Sequence, residues 1–181
     1  MIITASSSLA EVAFVVCTAL DRAGVTAVLT GGSAATVYAP QAYQSADLDF
    51  VVQFRASDSD ASSALESLGY RIDGGHYVHD VNPLLLEFPR GPLAIGRDLI
   101  TAWATLTRND MLLHITTPTD CCRDRLAGFL FWNDRGALEQ ALAVAHAKAD
   151  EVDVDAVLRW CVLEGHAEKF REFERAISSD R

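Results

Sequence analysis

The sequence predicts an α+β fold, in which a mixed β-sheet is flanked by helices and followed by a helical C-terminal extension. Two observations support this class. Short apolar and β-branched runs alternate with amphipathic segments as far as residue 117, and from Pro118 the pattern is helical to the C-terminus. We therefore divide the chain into an α/β core, residues 1–117, and a helical extension, residues 118–181. The apolar side chains of the extension are expected to pack against each other or against the core; a groove that binds a partner is the alternative.

The first part of the core is predicted as helix, strand, turn and helix. Ser8 and Glu11 have the spacing of a capping box, which opens a helix that reaches about Ala23 and ends at Gly24. A strand at Val25–Leu29 and the glycine turn Gly31–Ser33 follow. A short helix at Ala34–Tyr38 comes next and is stopped by Pro40.

The rest of the core is predicted from alternation and from stop signals. Gly69 ends a helix, and Gly74 and Gly75 divide a strand-like segment into one or two strands. These elements cover a strand at 46–52, a helix at Ser57–Leu68, one or two strands at Tyr70–His79, a strand at Leu84–Phe88 and a strand at Met111–Thr116.

The turn Gly31-Gly32-Ser33 is a candidate phosphate-binding site. Glycines let the backbone approach a ligand closely, and exposed amides at a helix N-terminus favour an anion. The Ser33 hydroxyl would be a further donor. The alternative is an ordinary loop in which Ser33 is the N-cap of the helix.

Two aspartates alternate with apolar residues in the strand-like run Asp47-Leu48-Asp49-Phe50. A period of two puts both carboxylates on one face, about 6.5 to 7 Å apart at Cα, with Leu48 and Phe50 turned into the core. That spacing suits two metal ions roughly 3.5 to 4 Å apart. A solvated strand face is the alternative, but like charges on one face repel unless a ligand offsets them.

Glu87 is the one acid in the apolar run Leu84–Phe88, and it is the candidate third carboxylate. An unpaired buried carboxylate is expensive, and a metal ion or an activated hydroxyl would give it a partner. The alternative is an edge-strand glutamate that faces water or pairs with Arg90.

Together, Gly32-Ser33, Asp47-Leu48-Asp49 and Glu87 resemble the signature of the nucleotidyltransferase superfamily, the DNA polymerase β-like fold. The order is similar to that of small prokaryotic members, the minimal and the abortive-infection toxin nucleotidyltransferases. The resemblance implies that Asp47, Asp49 and Glu87 bind two Mg²⁺ or Mn²⁺ ions, with Glu87 also as the base, and that Gly31, Gly32 and Ser33 bind the NTP.

The implied reaction transfers NMP from an NTP to an acceptor hydroxyl on an RNA end, a protein or a small molecule. A toxin restrained by an antitoxin partner is compatible with that reaction. The alternative is an inactive member of the fold that binds or regulates. Relatives often carry an arginine before the paired acids, where this chain has residues 41–45 with none.

Arg125 stands nearest the position at which small relatives place a lysine close to the triphosphate. An arginine fork can bind phosphate in a bidentate manner. Because Asp120 and Asp124 are close in sequence, a salt bridge on a helix surface is an equally open interpretation.

The 181-residue chain has a formal net charge of −10, which argues against a broad nucleic-acid footprint. A local patch for a tRNA end could draw only on the arginines at 123, 125, 135 and 159. The four cysteines lack Cys-x-x-Cys spacing, and no run is long enough to span a membrane, so we expect a cytoplasmic protein with reduced thiols and no membrane partner. His76 and His79, three residues apart in a strand, should face opposite sides, which disfavours zinc.

Overall fold

The computed structural model describes residues 2–55 and 58–179. Its helices and strands follow the alternation that the sequence predicts as far as residue 117 and are all helical after it. In chain order they are α1 (Leu9–Arg22), β1 (Val25–Thr30), α2 (Gly31–Tyr38), β2 (Asp47–Arg55), α3 (Asp58–Ser67), β3 (Tyr70–Asp73), β4 (His76–His79), β5 (Leu85–Glu87), β6 (Ala94–Ile95), β7 (Asp98–Leu99), β8 (Ala104–Arg108), β9 (Met111–Ile115), α4 (Pro118–Trp132), α5 (Arg135–Ala147), α6 (Val154–Leu163) and α7 (Ala167–Ser179).

The main sheet has seven strands in the order β3-β4-β5-β2-β1-β9-β8. Strand β1 runs antiparallel to β2 and parallel to β9, and β2 runs parallel to β5. The sheet is therefore mixed, and the predicted α+β class is confirmed. Strands β6 and β7 form a separate two-stranded hairpin.

The sheet separates two hydrophobic cores because side chains alternate along its central strands. Leu29 and Phe50 belong to a first core with α1 and α2. Val28 and Val51, each one residue away, belong to a second core with α4–α7. The prediction that the extension packs on itself and on the sheet is confirmed by its buried residues Val157, Trp160, Cys161, Phe170 and Phe173. The division at residue 117 stays a prediction.

Local signals fixed several element ends correctly. The capping box is present, since the Ser8 backbone N–H donates to Glu11 Oε2 at 2.9 Å and Ser8 Oγ accepts from the Glu11 backbone N–H at 3.4 Å. The segment 70–79 forms two strands that turn at Gly74 and Gly75, whose φ angles of +60° and +93° favour glycine.

Two sequence predictions differ from the structure. Helix α2 begins at Gly31 rather than at Ala34, with Thr30 as its extended N-cap, so the predicted turn is the first turn of the helix and Ser33 is not the N-cap. Strand β8 and the β6–β7 hairpin were not predicted. Strands β6 and β7 have two residues each, too short for any periodicity to register.

The cysteines are free and buried, in line with the expectation of reduced thiols. Burial raises the pKa of Cys17 to about 12 and that of Cys161 to about 12, and it also raises the pKa of Cys121 and Cys122. None of the helices in the described part of the chain is long and apolar enough to cross a membrane.

These thiols predict a loss of stability at high pH. In the unfolded chain a thiol deprotonates near pH 8.5, whereas the folded protein keeps its protons to much higher pH. The contribution of the thiols to the free energy of unfolding should therefore be constant up to about pH 8 and then fall, by at most about 1.4 kcal/mol per pH unit for each thiol.

Urea unfolding at about pH 8 and about pH 10 measures this change. In parallel, Ellman's reagent at about pH 8 should react with the thiols only after urea is added. Rapid reaction of the folded protein, or equal stability at both pH values, would contradict the assignment.

Candidate active site

The three predicted acids lie together on one face of the sheet. Asp49 of β2 is paired with Thr30 of β1 on one side and with Glu87 of β5 on the other. Residues paired across strands point to the same face, and Asp47, two residues earlier, shares it. Leu48 and Phe50 are fully buried on the opposite face, so the predicted alternation of the strand is confirmed.

The glycine turn lies directly against this carboxylate face. Gly31 has a φ of +67°, and a Cβ added there would be 2.8 Å from Asp49 Oδ2. Both the backbone conformation and the close approach therefore require glycine. A Cβ on Gly32 would be 3.2 Å from Tyr43 Cε1, so the Tyr43 ring closes the other side of the turn.

Ser33 ties the turn to the acidic strand. Its side chain is fully buried, its Oγ donates to the Thr30 carbonyl at 2.7 Å, and the same oxygen accepts from the Asp49 backbone N–H at 3.2 Å. The expectation of a free hydroxyl donor for phosphate therefore needs correction. The proton of Ser33 is already used, and the residue fixes the position of Asp49.

Ser45, which the sequence analysis did not single out, holds the second aspartate. Its hydroxyl donates to Asp47 Oδ1 at 2.7 Å. Its backbone N–H donates to Thr36 Oγ1 at 2.9 Å, and that hydroxyl donates to the Gly32 carbonyl at 3.1 Å. The period-two relation of Ser45 to Asp47 was a signal that could have identified it.

The carboxylates are close enough to repel one another. The pKa of Asp49 is raised to about 6, first by burial and then by the neighbouring charges of Asp47 and Glu87. Arg125 opposes the rise and is the nearby cation. A positively charged group bound at this face would offset the repulsion between the carboxylates.

Arg125 reaches the site from α4, where its salt bridge is present. Its Nε and Nη2 donate to Asp124 Oδ2 at 3.1 and 2.7 Å, and its Nη1 donates to Gln140 Oε1 at 3.3 Å. The salt-bridge interpretation is confirmed, because the guanidinium is paired with Asp124. Phosphate binding by Arg125 stays a prediction.

Among the described residues the ion-pair partner of Glu87 is His76 rather than Arg90. Glu87 is not on an edge strand, because β5 lies between β4 and β2, and its side chain is 34% exposed. Its Oε1 lies 3.0 Å from Nδ1 of His76. Within residues 2–55 and 58–179, no three histidine, cysteine, aspartate or glutamate side chains converge as a set that could hold a metal ion.

The donor chemistry nonetheless fits a hard divalent cation. Carboxylate oxygens are the ligands that Mg²⁺ and Mn²⁺ prefer, and the mutual repulsion at Asp49 is relieved by positive charge. Asp47 and Asp49 are adjacent on one face and could serve as a ligand pair, and Glu87 would join them on leaving His76.

The remaining candidate residues have other partners. His79 is in contact with the Leu68 carbonyl through Nε2 at 3.1 Å and stacks edge-on with Tyr70, whereas His76 faces Glu87. The four arginines considered for a nucleic-acid patch are all paired with acids: Arg123 with Asp98 and Asp120, Arg125 with Asp124, Arg135 with Glu172, and Arg159 with Asp153.

No family model and no curated protein matches the chain. Among solved structures, it is similar to the crystal structure of an antigenic nucleotidyltransferase-like protein from Paracoccidioides brasiliensis, with a TM-score of 0.65 and 17% sequence identity. The similarity covers 97% of this chain and 94% of that chain. At this identity the likeness bears on the fold, and the chain has a nucleotidyltransferase-like fold.

Proposed function

We propose that the protein is a metal-dependent nucleotidyltransferase, which moves a nucleoside monophosphate from an NTP to an acceptor hydroxyl. One observation carries the proposal. Asp47, Asp49 and Glu87 lie side by side on one sheet face, with the Gly31 backbone held against Asp49. Acids and a glycine turn in contact are what a nucleoside triphosphate and its cations require.

Asp47 and Asp49, with Glu87, would hold Mg²⁺ or Mn²⁺, which supplies charge neutralisation for the phosphates when bound. The backbone of Gly31 and Gly32 approaches the triphosphate, and Arg125 adds a positive charge beside it. These residues position the α-phosphorus for attack.

In the transfer step, the acceptor oxygen forms a bond to the α-phosphorus. The bond from that phosphorus to the oxygen shared with the β-phosphate breaks, and pyrophosphate leaves with its electron pair. The hydroxyl proton passes to the Glu87 carboxylate, which lies 3.0 Å from His76 in this structure and has to leave that partner first.

The acceptor is a small molecule or a locally held group rather than a long nucleic acid. The net charge of −10 repels phosphate backbones. Arg125, the arginine that acts on Asp49, is already paired with Asp124, and Arg123 on the same helix is paired with Asp98 and Asp120. A short terminal segment of RNA or a protein side chain remains compatible with this charge distribution.

A non-catalytic member of the fold is the second candidate. It is favoured by the engagement of Glu87 with His76 and of Arg125 with Asp124, because both groups would have to change partner to act on substrate. Such a protein would bind nucleotide without releasing pyrophosphate.

We expect Asp47→Asn to weaken NTP binding in Mg²⁺ at least about tenfold, since one unit of charge at the cation site is lost. Calorimetry with the four ribonucleotides, with and without Mg²⁺, measures it. Asp150→Asn, in an exposed loop, is the matched control. Equal affinity of wild type and Asp47→Asn would count against the site, whereas metal-dependent binding without pyrophosphate release would select the second candidate.

Gly31→Ala should both weaken NTP binding and destabilise the fold by about 1 to 3 kcal/mol, because it strains a positive φ and places Cβ against Asp49. Gly74→Ala isolates the strain alone, since Gly74 has a φ of +60° with nothing within 4 Å of the added Cβ. Both variants should lose stability in urea, but only Gly31→Ala should lose nucleotide affinity. Unchanged affinity in Gly31→Ala would place the phosphates elsewhere.

If the enzyme is the toxin of an antitoxin pair, its expression alone should arrest the growth of a bacterial host. Asp49→Asn should abolish the arrest, because the substitution removes a charge that the proposed chemistry requires. Colony counts at matched soluble expression test this. Normal growth with the wild type, or arrest by both proteins, would rule out a toxin that acts by nucleotidyl transfer.

A further inference from the structure

A cavity of about 180 Å³ lies beside the candidate active site, between the loop after α2 and the first turns of α5. It is lined by Ala42, Tyr43, Gly136, Glu139 and Gln140. Two of these residues connect it to the site. The Tyr43 ring lies against Gly32, and Gln140 accepts a hydrogen bond from Arg125, the cation that acts on Asp49.

The hydrogen-bonding groups of this cavity have defined donor and acceptor roles. Gln140 must present its Oε1 to Arg125, at 3.3 Å, because a guanidinium only donates. Its amide NH₂ is therefore turned away from Arg125 as a donor. The neighbouring Glu139 carboxylate is an acceptor. In the described part of the chain neither of these two groups has a hydrogen-bonding or ionic partner.

The cavity and the glycine turn suit ligand groups of different charge. A phosphate would be repelled by Glu139, whereas Gly31, Gly32 and Arg125 favour it. A flat heterocycle is suited to the cavity, because the Tyr43 ring can stack on it and polar edge groups can meet Glu139 and Gln140. The triphosphate and the base of one nucleotide would thus lie in adjoining places.

We propose that this cavity receives the base of the donor nucleotide and that Glu139 and Gln140 select guanine. The inference rests on the proposed function. The pairing edge of guanine offers one acceptor, O6, beside two adjacent donors, N1–H and the 2-amino group. The Gln140 NH₂ donates to O6, and the two carboxylate oxygens of Glu139 accept from the two donors. Adenine, cytosine and uracil each offer only one donor group on that edge, so one carboxylate oxygen stays unpaired.

Calorimetry in Mg²⁺ with GTP, ITP, ATP, UTP and inorganic tripolyphosphate tests the assignment. Inosine lacks only the 2-amino group of guanosine. The wild type should bind GTP about tenfold more tightly than ITP, ATP or UTP, as expected for one lost charge-assisted hydrogen bond. Glu139→Gln should reduce the GTP-to-ITP ratio of affinities to about one without weakening the binding of tripolyphosphate. Glu168→Gln, exposed on α7, is the control and should behave as wild type.

Two substitutions of Tyr43 test whether its ring stacks on the base. Tyr43→Leu should weaken all the nucleotides about tenfold, whereas Tyr43→Phe, which keeps the ring, should bind GTP normally. Equal melting temperatures of the variants establish that the fold is intact.

The two proposals fail in different ways. Equal affinity of the wild type for GTP and ITP, or an unchanged GTP-to-ITP affinity ratio in Glu139→Gln, overturns the base assignment. If tripolyphosphate still binds in a Mg²⁺-dependent manner in that case, the proposed active site is retained. A wild type that binds neither tripolyphosphate nor any nucleotide overturns both.

Discussion

Like charges on one face of a sheet repel, and the face shared by β2 and β5 carries Asp47, Asp49 and Glu87 next to one another. The pKa of Asp49 rises to about 6, first because the carboxyl group is buried and then because Asp47 and Glu87 lie beside it. An arrangement of this kind lowers stability when nothing offsets it. The contacts around these three acids are the ones that partly offset their negative charge.

Each acid has a partner on a different element. Ser45 donates to Asp47, the backbone of Asp49 donates to Ser33, and His76 lies beside Glu87. Helix α4 brings Arg125 to the same region, so the helical extension takes part in the site as well as in the second core. These contacts hold the acids in place but leave most of their negative charge, which is why a cation and the phosphates that accompany it are the ligands we infer.

The sequence was sufficient for the parts of the site that depend on alternation. Asp47 and Asp49 share a face and Leu48 and Phe50 are buried behind them, because a strand has a period of two whatever surrounds it. The sheet order could not be predicted in the same way. The parallel pairing of β2 with β5, which puts Glu87 beside Asp49, joins segments almost 40 residues apart and depends on tertiary packing.

The hydrogen-bond partners of the site residues could not be predicted from the sequence either. The sequence indicated a serine with a free hydroxyl and a glutamate with a metal or Arg90, whereas Ser33 is fully engaged and Glu87 faces His76. Gln140 contributes through a side-chain contact with Arg125 that follows no periodicity. Such contacts are set by which loops and helices meet over the sheet, and local sequence carries little information about that.

Binding of Mn²⁺ followed by electron paramagnetic resonance tests the central claim most directly, because the signal reports free ion and needs no knowledge of the acceptor. The wild type with a nucleoside triphosphate should take up more Mn²⁺ than the nucleotide alone, and Asp49→Asn should take up no more than the nucleotide alone. Equal uptake by wild type and Asp49→Asn would contradict the assignment of this carboxylate face as a cation and nucleotide site.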